Sequence, residues 1–411
     1  MASMSDDIAE TRVLPRTLAG ATVLQIIPAL HDSAVARATV DIARALIHAG
    51  ARSIVGAERG VLVDELKSFG GEWLPFESAT LHPWRLRSNA ERLAMFLEDE
   101  RVDIVHAKGI GAAWSAVRAI AGGATRLVTE LPDLRRSRMW FATVYLGAVS
   151  RGHRIISRSQ YNAMPMIRRY DIPPERISVI PRSIDIKSFD PTIVDPTRVA
   201  ALRQTWGIPS GARIVMTPGR VAPWNGQIHL VETARLLGES GRSLTYVLVG
   251  DDRRHPRYVQ AIMKKARAAG VDALFRIAGH VADMPAVYAA ADVVVVPCVA
   301  APVYGRVVAE AQAMARPVIA SAIGPLPENL LAPPRMPDEL RTGWLVPPRN
   351  PAELAHAVEE VLSLDAAAYR AVAARARQYA EFMFTPERLA AATLAVYSSV
   401  LEAEASDPDL G

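Results

Sequence analysis

Short apolar runs alternate with helix-period segments twice along this chain, and that rhythm constrains the fold more than any other feature. In the first half, 21–27, 53–56, 102–106, 126–129 and 154–157 read as strands, with helical periodicity over 35–49, 90–98 and 112–119. The strands are near-continuous apolar runs, the pattern of a parallel sheet covered on both faces. After about residue 205 the rhythm restarts. Strands are expected at 213–217, 245–250, 274–278, 292–297 and 317–320, and helices at 226–237, 258–269 and 306–315. Strand–helix alternation of this kind predicts a doubly wound parallel sheet in each half. The 411 residues also exceed what one core supports.

The expected division is a flexible N-terminus at 1–19, a first domain at 20–186, a linker at 187–204, and a second domain at 205–380. The linker reading rests on Asp190-Pro191 and Asp195-Pro196. A helix within 381–411, starting behind Thr385-Pro386, is expected to cross back onto the first domain.

Composition removes several function classes. Cys298 is the only cysteine, so an intrachain disulfide or a cysteine metal cluster cannot form. It ends an apolar run and reads as a buried small residue. Net charge is +4 with no dense Lys/Arg run, which argues against nucleic acid as partner. The N-terminal residues lack the apolar stretch of a secretory signal, and no apolar run reaches membrane-spanning length. A cytoplasmic location is therefore expected. The segment from Arg135 to Phe141 mixes basic and aromatic residues and leaves two readings open. It is a peripheral contact with the inner face of an anionic membrane, or the solvated start of a core helix at 139–150.

Two strand-end segments carry the chemistry. Gly219-Arg220 followed by Asn225-Gly226 resembles the G-R-x-x-x-x-K-G signature of family 4 retaining glycosyltransferases. Tyr304-Gly305 with Glu310-Ala311 resembles the end of that family's E-x-F-G-x-x-x-x-E-A signature. Val179-Ile180-Pro181-Arg182-Ser183-Ile184-Asp185 is similar to its V-I-P-x-G-V-D, and Val105-His106-Ala107 resembles members that build bacterial surface polysaccharide. The resemblance implies a GT-B fold, two Rossmann-like domains facing a central cleft. It also implies a nucleotide-diphosphate sugar as donor and a glycan or lipid-linked acceptor, with no metal or other cofactor.

Carried over residue by residue, Gly219, Arg220, Asn225 and Gly226 would face the diphosphate. Arg220 supplies a planar fork and the Gly226 amide supplies a helix-start donor. Gly305 lets the backbone approach the ligand, and Glu310 would accept from the ribose hydroxyls. Glu328 follows Gly324-Pro325-Leu326-Pro327, similar to the family's G-G-x-x-E, and either closes over the donor or caps the next helix. His106, at a strand end facing the expected cleft, is the candidate beside the reacting sugar, with Arg220 as the other catalytic candidate. A satisfied structural histidine is the equal alternative.

Five positions depart from the pattern. Asn225 replaces a lysine, and Pro302 stands where a glutamate contacts the transferred sugar. Ser33 and Ala34 replace a Gly-Gly pair, and Leu131 replaces the histidine of T-x-H-G. Two functions are thus in play. One is hexosyl transfer in envelope polysaccharide or lipopolysaccharide synthesis. The other is a catalytically silent homologue serving as a scaffold or partner.

Overall fold

The computed structural model describes residues 18–131, 146–238 and 241–405. The basic–aromatic segment from Arg135 to Phe141, and nearly all of the N-terminal stretch, lie outside these residues. The chain forms two compact units. The first runs to Ser183 and resumes at Pro386; the second is Ile184–Thr385.

The first unit contains β1 (Thr22–Ala29), α1 (Ala34–His48), β2 (Arg52–Glu58), α2 (Val63–Ser68), β3 (Glu72–Pro75) and α3 (Pro83–Asp99). It continues with β4 (Ile104–Lys108), α4 (Ile110–Ala119), β5 (Arg126–Glu130), β6 (Arg154–Ser157), α5 (Gln160–Tyr170) and β7 (Ile177–Val179). The sheet order is β3-β2-β1-β4-β5-β6-β7, and every pairing is parallel. The order reverses between β1 and β4, the place where open α/β sheets leave a crevice at the strand C-termini. Strand period-2 geometry sorts the apolar residues onto two faces. Leu24, Val105 and Leu127 join one core, while Val23, Ile104 and Val128 join the other.

The second unit contains α6 (Pro196–Thr205), β8 (Arg213–Pro218), α7 (His229–Leu237), β9 (Leu244–Val249), α8 (Pro256–Ala268) and β10 (Phe275–Gly279). It continues with α9 (Met284–Ala290), β11 (Val293–Val296), α10 (Arg306–Ala313), β12 (Val318–Ser321), β13 (Trp344–Val346), α11 (Pro351–Ser363) and α12 (Ala366–Met383). Its six parallel strands order as β10-β9-β8-β11-β12-β13, with the reversal between β8 and β11. Buried apolar residues pack on both faces here too. The segment expected as a linker contributes Phe189 and Val194 to this core and holds most of α6, which Asp195 caps.

The last helix, α13 (Pro386–Ala405), belongs to the first unit. Leu389, Leu394 and Tyr397 pack with Ile42 and Leu46 of α1 in the core over β1 and β4. Among the described residues, no helix is long and apolar enough to cross a membrane.

Candidate functional site

In the second unit, a cavity of about 240 Å³ opens at the C-terminal ends of β8 and β11. Thr217, Gly219 and Asn225 line one side, Cys298 and Pro302 another, and Gly305 with Arg306 at the start of α10 a third. Of the residues the sequence singles out in this half, Gly219, Asn225 and Gly305 line the cavity; Arg220, Gly226, Glu310 and Glu328 do not, although Arg220 and Gly226 adjoin lining residues in sequence and Glu310 is bonded to the lining residue Arg306.

Gly226 was expected at a helix start. Instead it closes a single 3-10 turn at Pro223–Asn225, and α7 begins only at His229. Its φ is +73°, and a Cβ there would sit 2.0 Å from the Pro297 carbonyl oxygen. Its amide already donates to Pro223 O at 3.3 Å. The glycine is therefore demanded by the close approach of this turn to the end of β11. The same loops are stitched by Val299 N and Ala300 N, which donate to Trp224 O at 3.0 and 3.2 Å.

Asn225 turns inward on its own loop. Its Nδ2 donates to Arg220 O at 2.7 Å, and Gln227 Nε2 donates to the same carbonyl at 2.9 Å. The amide thus replaces a lysine's charge with a clamp on the Arg220 backbone. The Arg220 side chain is left half exposed, its Nε 4.0 Å from Asp251 Oδ2. Asp251 also pairs with Arg254 at 3.1 Å. Among the described residues, no group of three or more acidic, histidine or cysteine side chains could hold a metal ion.

Glu310 is buried at 4% exposure. Tyr288 OH donates to its Oε2 at 2.8 Å, and Arg306 Nε donates to Oε1. Burial raises its pKa, opposed by Arg306 and Tyr288. A carboxylate has about four acceptor positions, so these bonds leave capacity for hydroxyl donors. Gly305, at φ +68°, caps α10, and a Cβ there would strike Asn329 Nδ2 at 2.3 Å. Asn329 Nδ2 in turn donates to Tyr304 O at 2.7 Å. Glu328 ends a short 3-10 turn and does not line the cavity. No carboxylate lines it; Pro302 occupies the wall where the resemblance implies one. Arg306 and Tyr288 were not anticipated. Arg306, the residue after Gly305 and one turn before Glu310, carried a readable signal, whereas Tyr288 comes from a distant helix.

In the first unit, His106 does not lie on an open surface. It is 0% exposed, and Nδ1 is 2.7 Å from Tyr397 OH of α13. Burial, then the Lys108 charge, lowers its pKa well below the ordinary value, so it is neutral at pH 7. It does not line the cavity above, and its contact with Tyr397 anchors the last helix. Ser33 serves as the α1 N-cap, its Oγ accepting from Ala36 N at 3.2 Å. Leu131 is buried.

Beside His106, a row of charged side chains stands at successive strand ends. Lys108 pairs in register with Glu130, and Arg158 follows β6. Arg158 grips Glu130 with Nε to Oε1 at 2.8 Å and Nη2 to Oε2 at 2.6 Å, both side chains under a tenth exposed. Burial would raise Glu130, but the Arg158 charge and hydrogen bonds overcome it and hold the carboxyl at about 2. Lys108 Nζ donates to Gln25 Oε1 and Thr39 Oγ1, both at 2.9 Å. Burial brings its pKa down to about 7, with Arg158 and Arg182 adding to the effect against the pull of Glu130.

Residues 212–364 match the family described as "Glycosyl transferases group 1", and residues 35–188 match "Glycosyltransferase Family 4". A D-inositol 3-phosphate glycosyltransferase of Kineococcus radiotolerans is 31% identical over 267 residues, 63% of this chain and 60% of that protein. The chain thus spans under two thirds of the length of this curated relative. A glycosyltransferase of Rickettsia africae superposes with TM-score 0.76 at 25% identity, covering 93% of this chain and 99% of the other. Anabaena HepE in complex with UDP and glucose gives 0.67 at 21%, covering 93% and 99%. WaaG, a glycosyltransferase involved in lipopolysaccharide biosynthesis, gives 0.60 at 19%, covering 90% and 98%. With the two parallel-sheet units, these neighbours establish a GT-B fold. The matches together support a family 4-type glycosyltransferase.

Proposed function

Starting from a family 4-type glycosyltransferase of GT-B fold, we propose that the protein binds a nucleoside-diphosphate sugar in the cavity of its second unit. It transfers the hexose, with retention of configuration, to an envelope glycan or lipid-linked acceptor at the cytoplasmic face of the inner membrane. One observation carries the reading: the cavity at the β8–β11 reversal brings Gly219, Asn225, Gly305 and Arg306 onto one wall system.

The chemistry follows from those groups together with Arg220 and Glu310, which adjoin the lining without forming part of it. The departing diphosphate needs fixed positive charge, which Arg220 and Arg306 supply as side chains and the start of α10 supplies as backbone dipole. Glu310 accepts from the ribose hydroxyls on its remaining lone pairs. The acceptor is the least constrained part. The Kineococcus relative is named for an inositol phosphate and WaaG for lipopolysaccharide, so a phosphorylated polyol stands beside an envelope glycan. Turnover of UDP-, GDP- and ADP-hexoses, read as released nucleoside diphosphate, tests the proposal. Release with one of them, weakened by Arg220→Ala, supports it; no release with any sinks the transferase reading.

The apolar lining around Pro302, with no carboxylate to hold the sugar, favours a second reading. In it the protein retains the nucleotide end of the site and acts as a silent partner of an active transferase. The pair Asn225→Lys with Pro302→Glu separates the two. Binding of a nucleotide sugar gained only in the double variant favours silence; turnover by the parent excludes it.

A further inference from the structure

The cavity of the second unit holds a polar pair that the transfer chemistry above does not use. Thr217, next to last in β8, and Gln227, just after the 3-10 turn, both line it. Thr217 is 2% exposed and Gln227 0%. Thr217 Oγ1 and Gln227 Oε1 are buried without a hydrogen-bond partner in the protein. A buried polar atom left without a partner costs folding free energy, so native chains keep few of them. Gln227 Nε2 donates to Arg220 O at 2.9 Å, which leaves Oε1 as the free branch of the amide. Asn225, two residues earlier on the same wall, is satisfied at both ends. Its Nδ2 donates to Arg220 O, and its Oδ1 accepts from Cys298 Sγ at 3.8 Å.

The lining sorts what can enter. Arg306 is the one charged side chain among the described residues that line the cavity, and that side chain is 69% exposed. Phosphate oxygens only accept hydrogen bonds, so they suit Arg306 and not Gln227 Oε1, which also only accepts. Gln227 Oε1 calls for an O–H or N–H donor, and a threonine hydroxyl both donates and accepts. A sugar hydroxyl has the two matching capacities. With Pro302 in the wall, no carboxylate is present to accept from the sugar. Gln227 Oε1 is a neutral acceptor on the same cavity, and it places no negative charge beside the departing diphosphate.

We propose that Thr217 and Gln227 are specificity-determining residues that hold a hydroxyl of the transferred hexose. The hydroxyl donates to Gln227 Oε1 and accepts from Thr217 Oγ1, while Arg306 keeps the diphosphate at the other wall. The inference rests on the transferase reading above and names the part of the donor that this pair reads.

The test is calorimetric titration of the full chain with UDP, GDP and ADP and with the glucose, galactose and mannose conjugates of each. The variants are Thr217→Val, of equal shape without the hydroxyl, and Gln227→Met, in which Asn225 still holds the Arg220 carbonyl. Thermal melting checks each for folding. Thr217→Val is expected to melt no lower than the parent, because its hydroxyl bonds nothing in the protein. The parent is expected to bind at least one conjugate. That conjugate should weaken about threefold to tenfold in each variant, the worth of one neutral hydrogen bond, with the matching free diphosphate unchanged. Conjugate affinity equal to the parent's in either folded variant overturns the proposal and leaves the transferase reading standing. Equal weakening of conjugate and free diphosphate also overturns it, since the pair would then read the base or the ribose. A parent that binds a free diphosphate but no conjugate overturns the hexose assignment. A parent that binds neither removes the transferase reading with it.

Discussion

Replacing Lys108 by methionine should stabilise the first unit at pH 7 and should do so less at pH 9. The ammonium sits fully buried with a pKa near 7, against an ordinary 10.5. At pH 7 that difference amounts to about 4 kcal/mol opposing the folded state, because the unfolded chain binds the proton more tightly. Methionine has similar length and no charge to bury. It orphans Gln25 Oε1, which accepts from Lys108 at 2.9 Å, and that returns about 1–3 kcal/mol. The net expectation at pH 7 is a gain of roughly 1–3 kcal/mol. The pH dependence carries the sign. A depressed lysine pKa means stability rises as pH climbs from about 7 toward 10.5, so the parent's penalty falls to about 2 kcal/mol at pH 9. Urea unfolding of parent and variant at the two pH values measures this. A variant that is destabilised at pH 7, or whose difference from the parent does not change by pH 9, refutes the reading that burial of Lys108 outweighs the attraction of Glu130.

Other perturbations probe separate parts. Arg158→Ala leaves Glu130 buried without its partner and should cost about 3–5 kcal/mol, read as a drop in urea midpoint. Tyr288→Phe removes the donor to Glu310 Oε2 and should cost about 1–3 kcal/mol in the same assay. It should also raise the Glu310 pKa further, visible as weaker nucleotide binding at mildly acid pH. Gly226→Ala forces a Cβ onto the Pro297 carbonyl, so melting temperature and nucleotide binding should fall together.

The alternation of strand and helix was enough to place both sheets, because buried parallel strands announce themselves as apolar runs. It missed β3, β7 and β13, which are three or four residues long and only partly buried or lacking a long apolar run. It missed α2 and α9 for a similar reason, since six and seven residues are too few to show a period, and it also left α5 and α6 unread, one with an internal proline and the other mostly inside the expected linker. At the site, motif spacing located Gly219, Asn225 and Gly305 around one cavity. It did not foresee that Asn225 bonds its own loop, that Gly226 is fixed by Pro297, or that His106 is sealed beneath Tyr397. The Asn225 bond is local and depends on how its side chain turns, whereas the Gly226 and His106 contacts join segments far apart in sequence, the His106–Tyr397 pair being separated by 291 positions. The row Lys108, Glu130, Arg158, Arg182 is invisible to local reading for the same reason: only sheet register places these residues side by side.

On the proposed reading, the second unit's cavity retains nucleotide-sugar recognition although Asn225 and Pro302 stand where the family signature has charged groups. Calorimetric titration of the parent and of Arg220→Ala with UDP, GDP and ADP tests it most directly. Saturable binding of one nucleoside diphosphate by the parent, weakened about tenfold or more in Arg220→Ala through loss of a charge-assisted contact, is the expected result. No binding of any of the three at millimolar concentration, or equal binding by the folded Arg220→Ala protein, would contradict the account.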